Sequence, residues 1–198
     1  EEHLVIGASP TSRVKLGPAI LRMASNASFN FVDYIRPYIT QLARETGETV
    51  DVSELQKHHT VFVDQVAGSG RLNIVSPIGE AFPLHCLASG KAMLATKPDD
   101  LVLKLLDSRR LERHTKATLV KLDALLGELA KIRKSGLAYD EEEHLEGGSA
   151  VGIAITEPGG ALYAISMPVP TVRFRKSRHK LERALMSCRD LICEGLQT

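Results

Sequence analysis

The chain has 198 residues, 43% of them hydrophobic, enough to bury a core as one large domain or as a domain with a fragment attached. Lys and Arg number 25 against 24 Asp and Glu, a formal charge of +1, so no bulk positive field advertises nucleic-acid binding by these residues. No run approaches the roughly 18 apolar residues of a membrane span and no basic-then-apolar leader is visible, so a cytoplasmic protein without membrane contact is expected.

Leu4 to Ile6 and Arg13 to Leu16 read as short strands around a turn of Gly7, Ser9, Pro10, Thr11 and Ser12. A hairpin this small is marginal alone in water, so it is either an edge of this fold or part of something larger. Pro18 to Ser25 reads as a short helix with Ile20, Leu21, Met23 and Ala24 on its apolar face and Pro18 in its first turn. A second helical region covers about Phe29 to Thr46, with Val32, Ile35, Ile39, Leu42 and Ala43 on one face and Gly47 at its stop. Pro37 predicts a kink or a break within it, because it cannot donate the usual backbone bond.

Thr49 to Leu55, Thr60 to Val66 and Leu72 to Val75 are rich in β-branched and aliphatic residues and predict three strands. Their short connections, among them the solvated turn expected at His58 and His59, favour antiparallel pairing. Helices follow at about Ser89 to Ala95, Pro98 to Leu106 and Lys121 to Ser135. In the last, Leu122, Leu125, Leu126, Leu129 and Ile132 recur at helical spacing and Gly136 ends the pattern. Strands resume at Leu137 to Tyr139, Val151 to Thr156 and Leu162 to Met167. A closing helix from about Ser177 to Glu194 carries the stripe Leu181, Ala184, Leu185, Cys188, Leu191 and Ile192. Strands in two sets around a helical insertion, with helices at both ends, predict an α+β fold with a mostly antiparallel sheet.

Several clusters invite a chemical reading. Ser89-Gly90-Lys91 opens a helix, where free backbone N–H groups can receive a small anion. A phosphate-binding loop would also need Gly at 85 and Ser or Thr at 92, where the chain has His85 and Ala92, so no nucleotide site is expected. His85 and Cys86, with His144, suggest a nucleophile and base or a metal cluster. Adjacent side chains on an extended segment diverge, however, which argues against both. The run Asp140 to Glu143 reads as a solvated loop, with Asp140 as a cap. Three cysteines without C-x-x-C spacing predict reduced thiols.

Three segments taken together carry a resemblance: Pro83-Leu-His-Cys-Leu-Ala-Ser-Gly-Lys-Ala-Met-Leu-Ala95, Ser135-Gly-Leu-Ala-Tyr-Asp-Glu-Glu-Glu-His144, and Ala150 to Ile155 followed by Leu162 to Pro168. Their order and spacing resemble the effector-binding domain of IclR-family bacterial transcriptional regulators, from about Lys15 to Ile192. The resemblance implies a GAF/profilin-like domain with a six-stranded, mostly antiparallel sheet flanked by helices. It implies that residues 1–16 are the end of the wing of a winged helix-turn-helix DNA-binding domain, that residues 17–28 are a linker helix entered through Leu16-Gly17-Pro18, and that 29–198 is the effector domain. It implies a sensor rather than an enzyme, with no cofactor and no metal, whose partners are a small organic acid, operator DNA through the preceding domain, and further copies of itself as a dimer or tetramer. The effector pocket carried over from the resemblance comprises Ile74, Ala88, Ser89 and Gly90, then Asp140, Gly148, Ala150, Ser166 and Pro168. Relatives that bind very small keto acids place a larger aliphatic residue at Gly148, a Cys at Ala150 and a Ser at Pro168. Either the effector here is larger and less polar, or the loop at Gly147 and Gly148 folds in to fill the space. Two other readings stay open on the residues alone: a small-molecule enzyme using Ser89, His85 and Asp140, and an oligomerisation module.

Overall fold

The computed structural model describes residues 30–106 and 111–197, together with the backbone of two short strands, Val5–Ile6 (β1) and Lys15–Leu16 (β2). The chain divides into two compact units, Glu1–Tyr34 and Ile35–Thr198. In the first, β1 and β2 pair antiparallel, with Val5 opposite Leu16, as the hairpin pattern predicts. The helix predicted at 18–25 lies outside the described residues. Helix α1, Phe31–Thr46, is capped by the Asn30 side chain, which accepts from the Val32 and Asp33 amides at 3.1 and 3.3 Å. Of the kink or break expected at Pro37, the break does not occur: the helix runs through it. Pro37 and Asp33, whose carbonyl loses its partner, are both exposed, so water can take the freed bond while buried Ile35, Ile39 and Leu42 anchor the helix on either side.

The second unit is built on strands β3 (Val50–Gln56), β4 (His59–Val66), β5 (Ala81–Pro83), β6 (Ala138–Glu141), β7 (Gly148–Thr156) and β8 (Leu162–Pro170). They form one six-stranded sheet in the order β5-β4-β3-β8-β7-β6, antiparallel at every pairing. Helices α2 (Ala88–Ala95), α3 (Asp99–Leu105) and α4 (Leu122–Ser135) lie between β5 and β6 in the chain, and α5 (Thr171–Gly195) follows β8 directly. Gly136 ends α4 in the left-handed conformation, φ 74°, its N–H bonded to the Ile132 carbonyl.

Two elements differ from the sequence reading. Residues 72–75 form an irregular loop instead of a strand, and the edge position goes to β5, paired with His59–Val61. Polar tethers override the local propensity: Asn73 Nδ2 donates to the Gly68 and Gly70 carbonyls, and Arg173, ion-paired with Glu48, donates to the Leu72 carbonyl. The closing helix starts at Thr171, six residues earlier than the pattern suggests, because its first turns bury only Thr171 and Phe174 amid basic neighbours, too few to mark a stripe. Its buried stripe is Leu181, Leu185, Cys188 and Ile192, while Leu191 is exposed.

Alternation sorts the sheet into two unlike faces. Gly148, Ala150, Gly152 and Ala154 on β7 share one face with Ala164, Ser166 and Pro168 on β8; Val151, Ile153, Ile155, Ile165, Met167 and Val169 share the other. Small residues let α2 approach closely: a Cβ at Gly152 would stand 3.2 Å from the Ala88 carbonyl carbon. Over it, Met93, Leu94, Val102, Leu125, Leu129 and Ile132 form a core with Leu84, Ala138 and Ala164. On the bulky face lies α5, reached by Tyr139 of β6, whose hydroxyl is 2.8 Å from Glu182 and whose ring carries the Arg178 guanidinium at 4.1 Å.

At Gly90 the approach is tightest, because a Cβ there would fall 2.3 Å from the Leu84 carbonyl oxygen. Gly90→Ala is therefore expected to destabilise the protein by about 1–3 kcal/mol or more in urea titrations. Gly127→Ala, on α4 with nothing within 4 Å of its Cβ, should instead stabilise it by roughly 0.5–1 kcal/mol.

Candidate functional site

Beside the start of α2 the small-residue face of the sheet leaves a cavity of about 140 Å³. Ile74, Ala88, Ser89, Asp140, Gly148, Ala150, Ser166 and Pro168 all line it, so eight of the nine residues picked out in the sequence converge on one space. Ile74 reaches it from the 69–80 loop instead of a strand. Gly90, the residue after Ser89, is not on the wall; it is held against the Leu84 backbone. The space above Gly148 is partly closed by Ile74, whose Cδ1 would be 3.2 Å from an added Cβ, and by Leu145.

The remaining wall was not recognised in the sequence. Phe62 of β4 and Phe82 of β5 meet edge to face with centroids 5.2 Å apart, and Leu87, His144 and Leu145 complete the apolar side. Asp51 also reaches the cavity. Its signal was present: in a strand that sends Val50 and Val52 to the bulky face, alternation puts Asp51 on the small-residue face.

Two buried carboxyls therefore face the cavity. Ser76 Oγ donates to Asp51 at 2.5 Å and Gln65 Nε2 at 2.6 Å, yet burial outweighs these bonds and raises the Asp51 pKa to about 6. Asp140 rises to about 7, again through burial, against the amides of Glu143 and His144 that it accepts at 2.7 and 3.4 Å. It is thus a loop cap and a wall residue at once. Among the described residues no Lys or Arg lines the cavity.

Lys91 is fully buried and its ammonium pairs with Glu143, so it cannot serve as a phosphate ligand. Glu143 correspondingly departs from the expected solvated run: it is buried, with its carboxyl pushed upward by desolvation and drawn back by Lys91. Thr115 and Thr118 hydroxyls fix the same loop through the Glu142 and Glu143 carbonyls, each at 2.6 Å. At the start of α2, Leu87 is the N-cap and gives no side-chain bond, and the first intrahelical amide is that of Lys91. The amides of Ala88, Ser89 and Gly90 precede it, and the Ser89 hydroxyl has no partner among the described residues. Residues 84–87 form a bend, so His85 and Cys86 do not diverge as an extended segment would make them.

The model of the bacterial transcriptional regulator IclR C-terminal family matches residues 23–194. The chain belongs to the IclR family of transcriptional regulators. The HTH-type transcriptional regulator Rv1719 of Mycobacterium tuberculosis is 41% identical over 187 residues, covering 94% of this chain and 72% of that protein. The crystal structure of transcriptional regulator YaiJ superposes with a TM-score of 0.79 at 29% identity, covering 85% of this chain and 96% of that one. An IclR homolog from Microbacterium hydrocarbonoxydans complexed with 4-hydroxybenzoate shares the fold at 18% identity and a TM-score of 0.76, covering 93% and 76%. The α+β fold with its six-stranded antiparallel sheet is thus that of IclR C-terminal domains, and the relatives are regulators, not enzymes. Among the described residues no helix is long and apolar enough to cross a membrane.

Replacing Lys91 with Met should strand the Glu143 charge and cost about 3–5 kcal/mol in urea titration, and Lys91→Met with Glu143→Leu should recover most of the loss. Asp140 supplies a pH test. Its carboxyl ionises near 3.8 when unperturbed but near 7 in the fold, so between these values the native state holds the extra proton and stability falls as pH rises. Asp140→Asn keeps the acceptor oxygen and removes the titration. The stability of wild type relative to this variant is therefore expected to decline from pH 4 to pH 7, read as urea midpoints; parallel profiles would contradict it.

Proposed function

We propose that the cavity binds a small monocarboxylic acid with an apolar or aromatic body, and that occupancy controls DNA binding by the family's winged helix-turn-helix region, of which residues 1–16 are the end of the wing. The observation that carries this reading is the cavity itself: apolar walls, with an unpartnered Ser89 hydroxyl and the first amides of α2 at one side. Pockets for small ligands combine apolar surface with a few fixed polar groups in this way. The volume, about 140 Å³, matches the roughly 150 Å³ of an apolar cavity that accepts benzene. With no Lys or Arg on the wall among the described residues, the acid's charge is met by amide donors and by the dipole of α2, worth about 0.3–1 kcal/mol. Asp51 and Asp140 favour a ligand hydroxyl, which a protonated or ionised carboxyl can engage. The complex of the Microbacterium relative with 4-hydroxybenzoate has that chemistry.

Regulation requires the ligand to prefer one arrangement of the whole regulator, since equal affinity for two states shifts nothing. Self-association, as a dimer or tetramer, supplies those arrangements. Calorimetry is expected to give heat with benzoate or 4-hydroxybenzoate and little with glyoxylate or pyruvate. Ser89→Ala should weaken binding by about 1 kcal/mol, roughly fivefold, for one lost hydrogen bond. Gly148→Leu should abolish it by filling the space below Ile74. Tight glyoxylate binding without response to aromatic acids would overturn the size argument, and undiminished binding by both variants would misplace the pocket.

A further inference from the structure

We propose that His85, Cys86, His114 and His144 form a tetrahedral binding site for a zinc-like divalent cation, with His144 shared between that site and the cavity wall. Three segments distant in sequence bring these groups together. The bend at 84–87 turns two successive side chains to one side, and ligand atoms of His85, Cys86 and His114 all lie within 4.8 Å of one another. From the loop after β6, His144 places Nδ1 at 3.6 Å from Cys86 Sγ, and its ring centroid is 5.2 Å from that of His114. Tetrahedral zinc, with Zn–S about 2.3 Å and Zn–N about 2.0–2.1 Å, holds sulfur and nitrogen about 3.6 Å apart.

The surroundings suit ligation. His85 Nε2 is 2.9 Å from the Glu112 carbonyl; donation there fixes the tautomer and leaves Nδ1 with a free lone pair. Zinc-ligating histidines commonly hold their second nitrogen in this manner. Burial lowers the pKa of His85 and of His144, which keeps both imidazoles neutral and able to coordinate. Cys86 is fully buried and its thiol is pushed up by desolvation and by the carboxylates of Asp140 and Glu143, against Lys91. Binding therefore breaks the S–H bond, forms the metal–sulfur bond and passes the proton to solvent. The complex retains one net positive charge, placed beside the Asp140 and Glu143 carboxyls. A thiolate with three imidazoles favours zinc over harder cations. The cation would join the bend before α2, the 111–121 loop and the 142–147 loop.

The test is titration of the chelator-stripped protein with Co2+ as a spectroscopic stand-in, followed by competition with Zn2+. One equivalent should bind with tetrahedral d–d absorption and a thiolate-to-cobalt charge-transfer band, and zinc should displace it. His114 is exposed, so His114→Ala should fold normally and bind at least about tenfold more weakly. Cys86→Ser, checked for folding by circular dichroism, should lose the charge-transfer band. Absence of saturable uptake at micromolar Co2+ and Zn2+ would overturn the proposal, as would uptake whose affinity and spectrum His114→Ala leaves unchanged. Should Cys86→Ser fail to fold, the wild-type charge-transfer band and the His114→Ala affinity decide.

Discussion

The buried ion pair between Lys91 and Glu143 is the constraint on which the geometry of the cavity depends. It joins α2 to the loop between β6 and β7 at a place where neither charge reaches water. Such a pair adds little net stability over apolar residues of similar shape, yet losing one partner is costly because the other charge stays buried. Its value here is positional. Glu143 holds the loop that carries Asp140 and His144 onto the cavity wall, and Lys91 fixes the rotation of α2, whose first residues form the opposite wall. One Glu143 oxygen has no hydrogen-bond partner among the described residues, so the carboxylate leans on Lys91 for its compensation.

A second constraint is volume. Gly148, Ala150, Gly152 and Ala154 on β7 lack the bulk to fill the space beneath α2, and the helix can descend only where backbone meets backbone, as at Gly152 and Gly90. Further along β7 and β8, toward Gly148 and Pro168, no helix among the described residues covers the face and the cavity remains. The same strands carry Val151, Ile153, Ile165, Met167 and Val169 on their other side, so a packed core and a ligand-sized space are built from one pair of strands.

Much of this was legible because periodicity reports burial. The stripe Leu125, Leu129, Ile132 marks α4, the aliphatic alternation marks β3, β7 and β8, and the ordered segments around Ala88, Asp140 and Gly148 mark the family and eight of the cavity residues. What was hidden depended on contacts between segments distant in sequence. The aliphatic run Leu72 to Val75 has strand propensity, but Asn73, Arg173 and Ser76 hold its loop by bonds to residues that local pattern cannot supply. Glu143 looked like one of four solvated acids because nothing near it in the chain reveals Lys91. His85 and Cys86 were discounted on strand geometry, which does not apply to a bend.

Electrostatics narrows what the cavity tolerates. Desolvation already holds the Asp51 and Asp140 carboxyls above their ordinary range, and a second anion placed among ionised carboxylates without a cation would be repelled. An acid can enter only with its carboxylate turned toward the amides of α2 and with Asp51 and Asp140 taking up protons or meeting donor groups. Uptake of a proton with the ligand follows from that arrangement, so affinity for an acid should rise as pH falls from 8 to 6. Calorimetry of benzoate in buffers of different ionisation enthalpy would register the proton directly, and a pH-independent affinity with no buffer dependence would mean that the ligand stays clear of both aspartates.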